Sequence, residues 1–172
     1  MVNSLLLPIF IFILCIAAQE LVFNQLYILR LVTPFFYLYF LLKLPSGLAH
    51  NYILLLSFFL GLIVDAFGNT PGMHAAACTV AGFTRPYIIS LFHEKGLPEG
   101  TIPSYRSLGH AGFVQYVFSL VAIHHTTLAI VESFAFFDIY FLFLRIVANT
   151  LLTATLLCII ELFGFNKESY SS

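Results

Sequence analysis

The sequence predicts an all-α membrane protein, a single domain over residues 1–172 built as a bundle of about six transmembrane helices. Composition is the first reason: 60% of the residues are hydrophobic and 9% charged, whereas a soluble domain clothes its surface with about a quarter charged residues. The second is that apolar runs long enough to cross ~30 Å of hydrocarbon recur along the whole length. The third is that no polar stretch between them is large enough to make a soluble domain. A net charge of −1 gives no basic surface for nucleic acid, and no lysine or arginine cluster marks capture of anionic lipid. The lipid bilayer is the one partner that composition implies.

The first span is expected near 5–18, with Pro8 at its start, where a missing N–H is tolerated. No basic stretch precedes it, so it reads as a retained helix and not as a cleaved signal. Thr33-Pro34 opens a second span near 31–44, short unless residues from Tyr27 contribute, with a re-entrant segment or a bundle of five helices as the alternative, and Pro45-Ser46-Gly47 closes it with a turn. The third span lies near 52–66 and the fourth near 72–91; the link from Phe67 to Thr70 is so short that the two must be antiparallel neighbours. Pro86 is expected to kink the fourth or to begin an irregular exit from it. The polar stretch HEKGLPEGTIPSYRS makes a long loop before the fifth span near 108–130, and the sixth runs near 139–163 ahead of a loose polar tail. With no tryptophan in the chain, Tyr52, Tyr87, Tyr105 and Tyr140 are left to form the interfacial belt. Lys43, Lys95, Arg106 and Lys167 fall on one side of such a bundle and only Arg30 on the other, so both termini are expected to be cytoplasmic.

The stretch GLIVDAFGNTPGMHA, Gly61 to Ala75, organises the rest. It ends the third span with Asp65 four residues after Gly61, turns through Gly68, Asn69, Pro71 and Gly72, and opens the fourth span with His74. An unpaired buried carboxylate costs several kcal/mol, and at the end of a helix it also meets the negative pole of the macrodipole. Two groups are placed to offset that: the free N–H groups opening the next helix at Gly72 to Ala75, and the ring of His74. Along the fourth span His74, Cys78, Ala81, Gly82 and Arg85 share one side, and Ala75, Thr79 and Gly82 allow close helix approach. That side is expected to face protein.

In the sixth span Arg145, Asn149 and Thr153 recur every four residues as a polar stripe that must face other helices. An arginine there needs a partner, and Glu132 or Asp138 stands at the same boundary. His124 and His125 are about 100° apart on a helix, so one is expected to contact protein and the other to lie toward the boundary. Cys15, Cys78 and Cys158 sit in apolar runs without ligand spacing and read as small core hydrophobes. No H-E-x-x-H, G-x-S-x-G or phosphate loop occurs, so no catalytic residue, metal or cofactor is expected and the chain reads as a non-enzyme.

Gly61-x-x-x-Asp65, then Gly72-Met73-His74-Ala75 and Gly82-Phe83, resembles the central signature of the bacterial rod-shape-determining MreD family. The Thr33-Pro34 start, the run Leu144 to Leu152 containing Arg145 and Asn149, the length and the number of spans are similar too. The chain departs from that pattern in opening its second span with Pro34-Phe35 and in its weakly basic N-terminus. The resemblance implies a fold similar to the substrate-binding subunits of energy-coupling-factor vitamin transporters. It also implies a non-enzymatic scaffold of the cell-elongation and peptidoglycan-synthesis machinery in the bacterial inner membrane. The implied partner is an MreC-like bitopic protein, with MreB, RodA and its transpeptidase in the wider complex. Carried onto this chain, Gly61, Asp65, Pro71, Gly72 and His74 would shape the outer turn, Gly82 and Arg85 would line the packed side of the fourth span, and Glu132, Arg145 and Asn149 would hold the sixth. The alternative is a small-molecule-binding membrane subunit of the vitamin-transporter type, in which Asp65, His74, Gln115 and Arg145 would converge on a pocket.

Overall fold

The computed structural model describes residues 2–22, 33–93, 96–133 and 139–169. Within them the fold is all-helical: α1 (Val2–Leu21), α2 (Leu38–Leu42), α3 (His50–Gly68), α4 (Met73–Phe92), α5 (Tyr105–Ser133) and α6 (Ile139–Ser169). The last four are each long and apolar enough to cross a bilayer, so this is a multi-pass membrane protein with four candidate spans. Successive rods α3, α4, α5 and α6 pack against one another in chain order.

The expected second span, 31–44, is not a spanning rod over its described part. Residues 33–37 are non-helical and α2 has five residues, about 7.5 Å at the helical rise. Two prolines explain this. Pro34 biases Thr33 toward extended backbone, and Pro45, which lacks an N–H, keeps Leu44 out of the helix. This short piece is nonetheless the centre of the molecule. Tyr37, Leu38 and Leu41 are fully buried, and Phe40, Leu42 and Leu44 nearly so, among Leu60, Cys78, Ala81, Tyr116, Leu120 and Leu157. Arg30 and Lys95 lie outside the described residues.

The fourth span ends as expected, α4 running to Phe92 with Pro86 inside it and no irregular exit at that residue. Two other boundaries differ from the sequence expectation. The helix after the polar loop begins at Tyr105, earlier than expected, and is broken at Gly109, whose φ of 72° and ψ of 168° a side chain would resist. Finally, α6 runs on to Ser169 where a loose tail was expected after 163.

The contact between α3 and α4 is close, and small residues explain it. A Cβ at Gly61 would fall 2.3 Å from the His74 carbonyl oxygen and 2.5 Å from the Ala75 Cα and N. A Cβ at Gly82 would fall 2.1 Å from the Ser57 hydroxyl. Ser57 is itself fully buried, its hydroxyl donating to the Ile53 carbonyl at 2.6 Å. In lipid, where apolar surface gains little by burial, such close backbone approach is what holds helices together. The three cysteines are free and buried, as small hydrophobes. Tyr52, Tyr87 and Tyr140 are exposed, but Tyr105 is buried and donates to the Cys158 carbonyl at 3.2 Å, so it is no part of an interfacial belt.

Candidate functional site

Asp65 joins two helices with one residue. Its backbone carbonyl accepts from the N–H groups of Asn69 and Thr70 that end α3, with Asn69 in the left-handed conformation at φ 52°, a geometry asparagine tolerates at a helix C-terminus. Its carboxylate accepts from the Thr70 hydroxyl at 2.8 Å and from the backbone N–H groups of His74 and Ala75, both at 2.9 Å. The aim of those N–H groups follows from the turn. The Met73 N–H donates to the Thr70 carbonyl across Pro71 and Gly72, and Gly72 has φ 83° and ψ −7°, the values of the third position of a type II turn after a proline. Asp65 is 3% exposed, so the positive pole of α4 meets a dehydrated anion.

The imidazole of His74, the second expected partner of Asp65, is hydrogen-bonded elsewhere. Its Nδ1 is in a 2.8 Å hydrogen bond with the Tyr37 hydroxyl, which also bonds His124 Nε2 at 3.1 Å. Backbone and ring of one residue thus serve different neighbours. Phe35 packs against this chain, its ring centroid 5.4 Å from that of His74 and 5.9 Å from that of His124. His124 and His125 do occupy different faces of α5, but both are buried, where one was expected toward the boundary. His125 stacks on Phe35 with centroids 5.1 Å apart and planes at 13°.

The polar stripe of α6 faces non-helical backbone as well as another helix. Asn149 Oδ1 accepts from the Thr33 N–H at 3.0 Å and its Nδ2 donates to the Arg145 carbonyl. Thr153 Oγ1 accepts from the Phe35 N–H at 3.2 Å. From the opposite side, Gln19 on α1 accepts from the Phe36 N–H at 2.7 Å and donates to the Pro34 carbonyl. Arg145 pairs with Glu132 at 2.9 Å; the other expected partner, Asp138, lies outside the described residues. Between α5 and α6 these groups border a cavity of about 50 Å³, lined by Thr33, Phe35, His125, Glu132, Arg145 and Asn149 with apolar side chains between them.

At the other end of α2 two cations meet the chain. Arg85, 1% exposed, donates from Nε to the Tyr116 hydroxyl at 3.0 Å and from Nη2 to the Leu44 carbonyl, while Tyr116 donates to the Leu42 carbonyl. Lys43 pairs with Glu161 at 2.8 Å and donates to the Pro103 carbonyl, and Tyr39 donates to Glu161 at 2.9 Å. Sequence reasoning missed Tyr37, Gln19, Tyr116 and Glu161. The visible signals were polar groups inside apolar runs, Gln19 after Ala17-Ala18 and Glu161 within the last span.

The groups required for a vitamin-type pocket do not come together. Asp65 and His74 are engaged as described, Gln115 is exposed on α5, and the cavity at Arg145 includes none of the three. That cavity is also far below the several hundred Å³ of an ordinary ligand pocket. A recess of about 420 Å³ between α1 and α3 is lined by apolar side chains and Glu20. Among the described residues no cluster of three or more histidine, cysteine or carboxylate side chains is arranged to hold a metal. No protein-family model, curated protein or solved structure matches this chain.

Proposed function

We propose that this protein is a non-enzymatic helical scaffold of the bacterial inner membrane, of the MreD type, that serves the cell-elongation machinery by binding an MreC-like bitopic partner. One observation carries the reading: the block that resembles the family signature is used for construction. Gly61 admits the backbone of α4, Asp65 caps it, Pro71 and Gly72 form the turn, and His74 ties the turn to Tyr37. None of those groups is left facing a substrate-sized cavity, which suits a rigid support better than a reaction centre. The lipid-side faces also suit a docking role. Tyr52, Leu55, Phe59 and Leu62 on α3, and Tyr140, Phe143, Val147 and Leu151 on α6, are exposed apolar ridges, the kind of surface that packs against another membrane helix.

Cross-linking in native membranes, extraction in mild detergent and mass spectrometry of the purified complex test this. An MreC-like protein is expected in the cross-linked species. A monomer free of partners after efficient cross-linking overturns the reading.

A further inference from the structure

The chain holds two ion pairs among its described residues, and they differ in what surrounds them. Lys43 and Glu161 have side chains 17% and 7% exposed and share their charged groups with the Pro103 carbonyl and the Tyr39 hydroxyl. Arg145 and Glu132 have side chains 38% and 28% exposed, joined through Nη1 and one carboxylate oxygen, Oε2. Among the described residues no other group bonds these two side chains. The Nε and Nη2 groups of Arg145 and Oε1 of Glu132 are therefore left for a partner outside the chain.

Their level in the bundle narrows what that partner is. Glu132 is the last residue of the α5 candidate span, and Arg145 stands five residues after Tyr140, where the α6 candidate span begins, about 7.5 Å along the axis at the helical rise. Side chains on a helix lean toward its N-terminus, and the 2.9 Å contact with Glu132 brings the guanidinium back to the edge. Both charges thus lie where hydrocarbon gives way to lipid head groups. Phe141, one turn before Arg145 and on the same face, is 45% exposed, so that face is open to the bilayer.

Charge selects among head groups. Guanidinium N–H groups suit a phosphate, which is planar-fork recognition, and a free carboxylate oxygen suits an N–H donor. An anionic head group satisfies Arg145 but sets its own charge against Glu132. A choline head group carries a cation without N–H donors. A phosphoethanolamine group has a phosphate and, two carbons away, an ammonium with three N–H donors, so it lies head to tail against the protein's pair, with each charge beside its opposite.

We infer that the Glu132–Arg145 pair is a binding site for the phosphoethanolamine head group of a membrane lipid, with the phosphate on Arg145 and the ammonium on Glu132 Oε1. The site stands or falls independently of the scaffold role.

The full chain is placed in nanodiscs of phosphatidylcholine alone, with phosphatidylethanolamine, with phosphatidylglycerol at the same fraction, and with soluble glycerophosphoethanolamine, the head group without acyl chains. Thermal unfolding is followed for the wild type, for Glu132→Gln and for Glu132→Gln combined with Arg145→Gln, which leaves no charge alone. Phosphatidylethanolamine is expected to bind the wild type about tenfold more tightly than the other two lipids, a rise of roughly 3–5 °C, and to lose that preference in both variants. A rise equalled by phosphatidylglycerol marks a plain anion site, and one that persists in the double variant marks a bulk effect of the lipid; either overturns the proposal, as does equal stability in all media. A rise reproduced by glycerophosphoethanolamine assigns a soluble ligand and overturns the lipid assignment. One reading needs no variant: through-space ¹⁵N–³¹P coupling between the Arg145 guanidinium and the lipid phosphorus is expected in the phosphatidylethanolamine discs, and its absence overturns the proposal.

Discussion

Replacing Gly61 by alanine tests how the whole α3–α4 unit is built. The new Cβ would lie 2.3 Å from the His74 carbonyl oxygen and 2.5 Å from Ala75 backbone atoms, where ordinary contact begins at 3.4 Å. These neighbours are backbone, so no side chain can swing aside; α4 must retreat by about 1 Å, the gap between those distances. That retreat acts on the same two residues whose N–H groups reach Asp65 at 2.9 Å, and lengthening by this amount takes both beyond hydrogen-bond range. A hydrogen bond to a charged group contributes about 1.5–3 kcal/mol, so the variant should lose roughly 3–5 kcal/mol, or some 6–20 °C in Tm at about 2–4 °C per kcal/mol. Unfolding in mixed micelles, followed by circular dichroism, measures it. Gly68→Ala is the matched control: its Cβ would come no nearer than 3.3 Å, to the Thr70 hydroxyl, which need give only about 0.1 Å to reach ordinary contact and so keeps its bond to Asp65. A Gly61→Ala protein as stable as the Gly68→Ala protein would refute the close-approach account of this turn.

Asp65→Ala leaves the His74 and Ala75 N–H groups without their acceptor and should cost about 3–5 kcal/mol; Glu20→Ala, at a half-buried position on α1, should cost less in the same unfolding assay. Thr153→Val, at a fully buried position, removes the acceptor of the Phe35 N–H while keeping side-chain shape, and a loss of about 1–3 kcal/mol is expected; Thr84→Val, whose hydroxyl only bonds back within α4, should be nearly neutral. Glu161→Leu strands Lys43 and should destabilise by about 3–5 kcal/mol, whereas Lys43→Met combined with Glu161→Leu should recover much of that. By contrast a double-mutant cycle on Glu132 and Arg145, both partly exposed, should return a coupling below about 1 kcal/mol.

Much of the architecture is written in local rules that act over a few residues. The α3–α4 link could be read from Pro71 and Gly72, because a type II turn needs a proline followed by a residue at positive φ, and from Asp65, because a carboxylate near a free helix start finds its N–H groups. What could not be read is where a side chain goes once several elements compete for it. His74 illustrates this. Its N–H is committed by the turn, but its ring direction was decided by Tyr37, which lies 37 residues earlier, and no local signal carries that distance. The second span was misjudged for a related reason: the apolar content of residues 35–42 is that of a buried segment, and hydrophobicity alone does not distinguish a rod facing lipid from a short helix enclosed by other rods. The prolines at 34 and 45 were the better guide to its length.

The enclosed segment also explains why so many polar groups occur in an apolar chain. Backbone that is not helical must find hydrogen-bond partners from outside itself, and in a membrane protein it is tolerated only where protein supplies them. Here Gln19, Asn149 and Thr153 meet residues 33–36 at one end, while Tyr116 and Arg85 meet the Leu42 and Leu44 carbonyls at the other. The arginine is therefore held at the C-terminal end of α2, where partial negative charge on free carbonyls favours a cation, and its role as a structural clamp does not require a carboxylate. Donors come from α1, α4 and α5, acceptors from α1 and α6, so sliding any one of these helices breaks bonds to the central segment. A transport cycle requires some such sliding or rocking. A frame fastened at both ends of its innermost element resists it, and that resistance is the physical property a scaffold for partner helices needs.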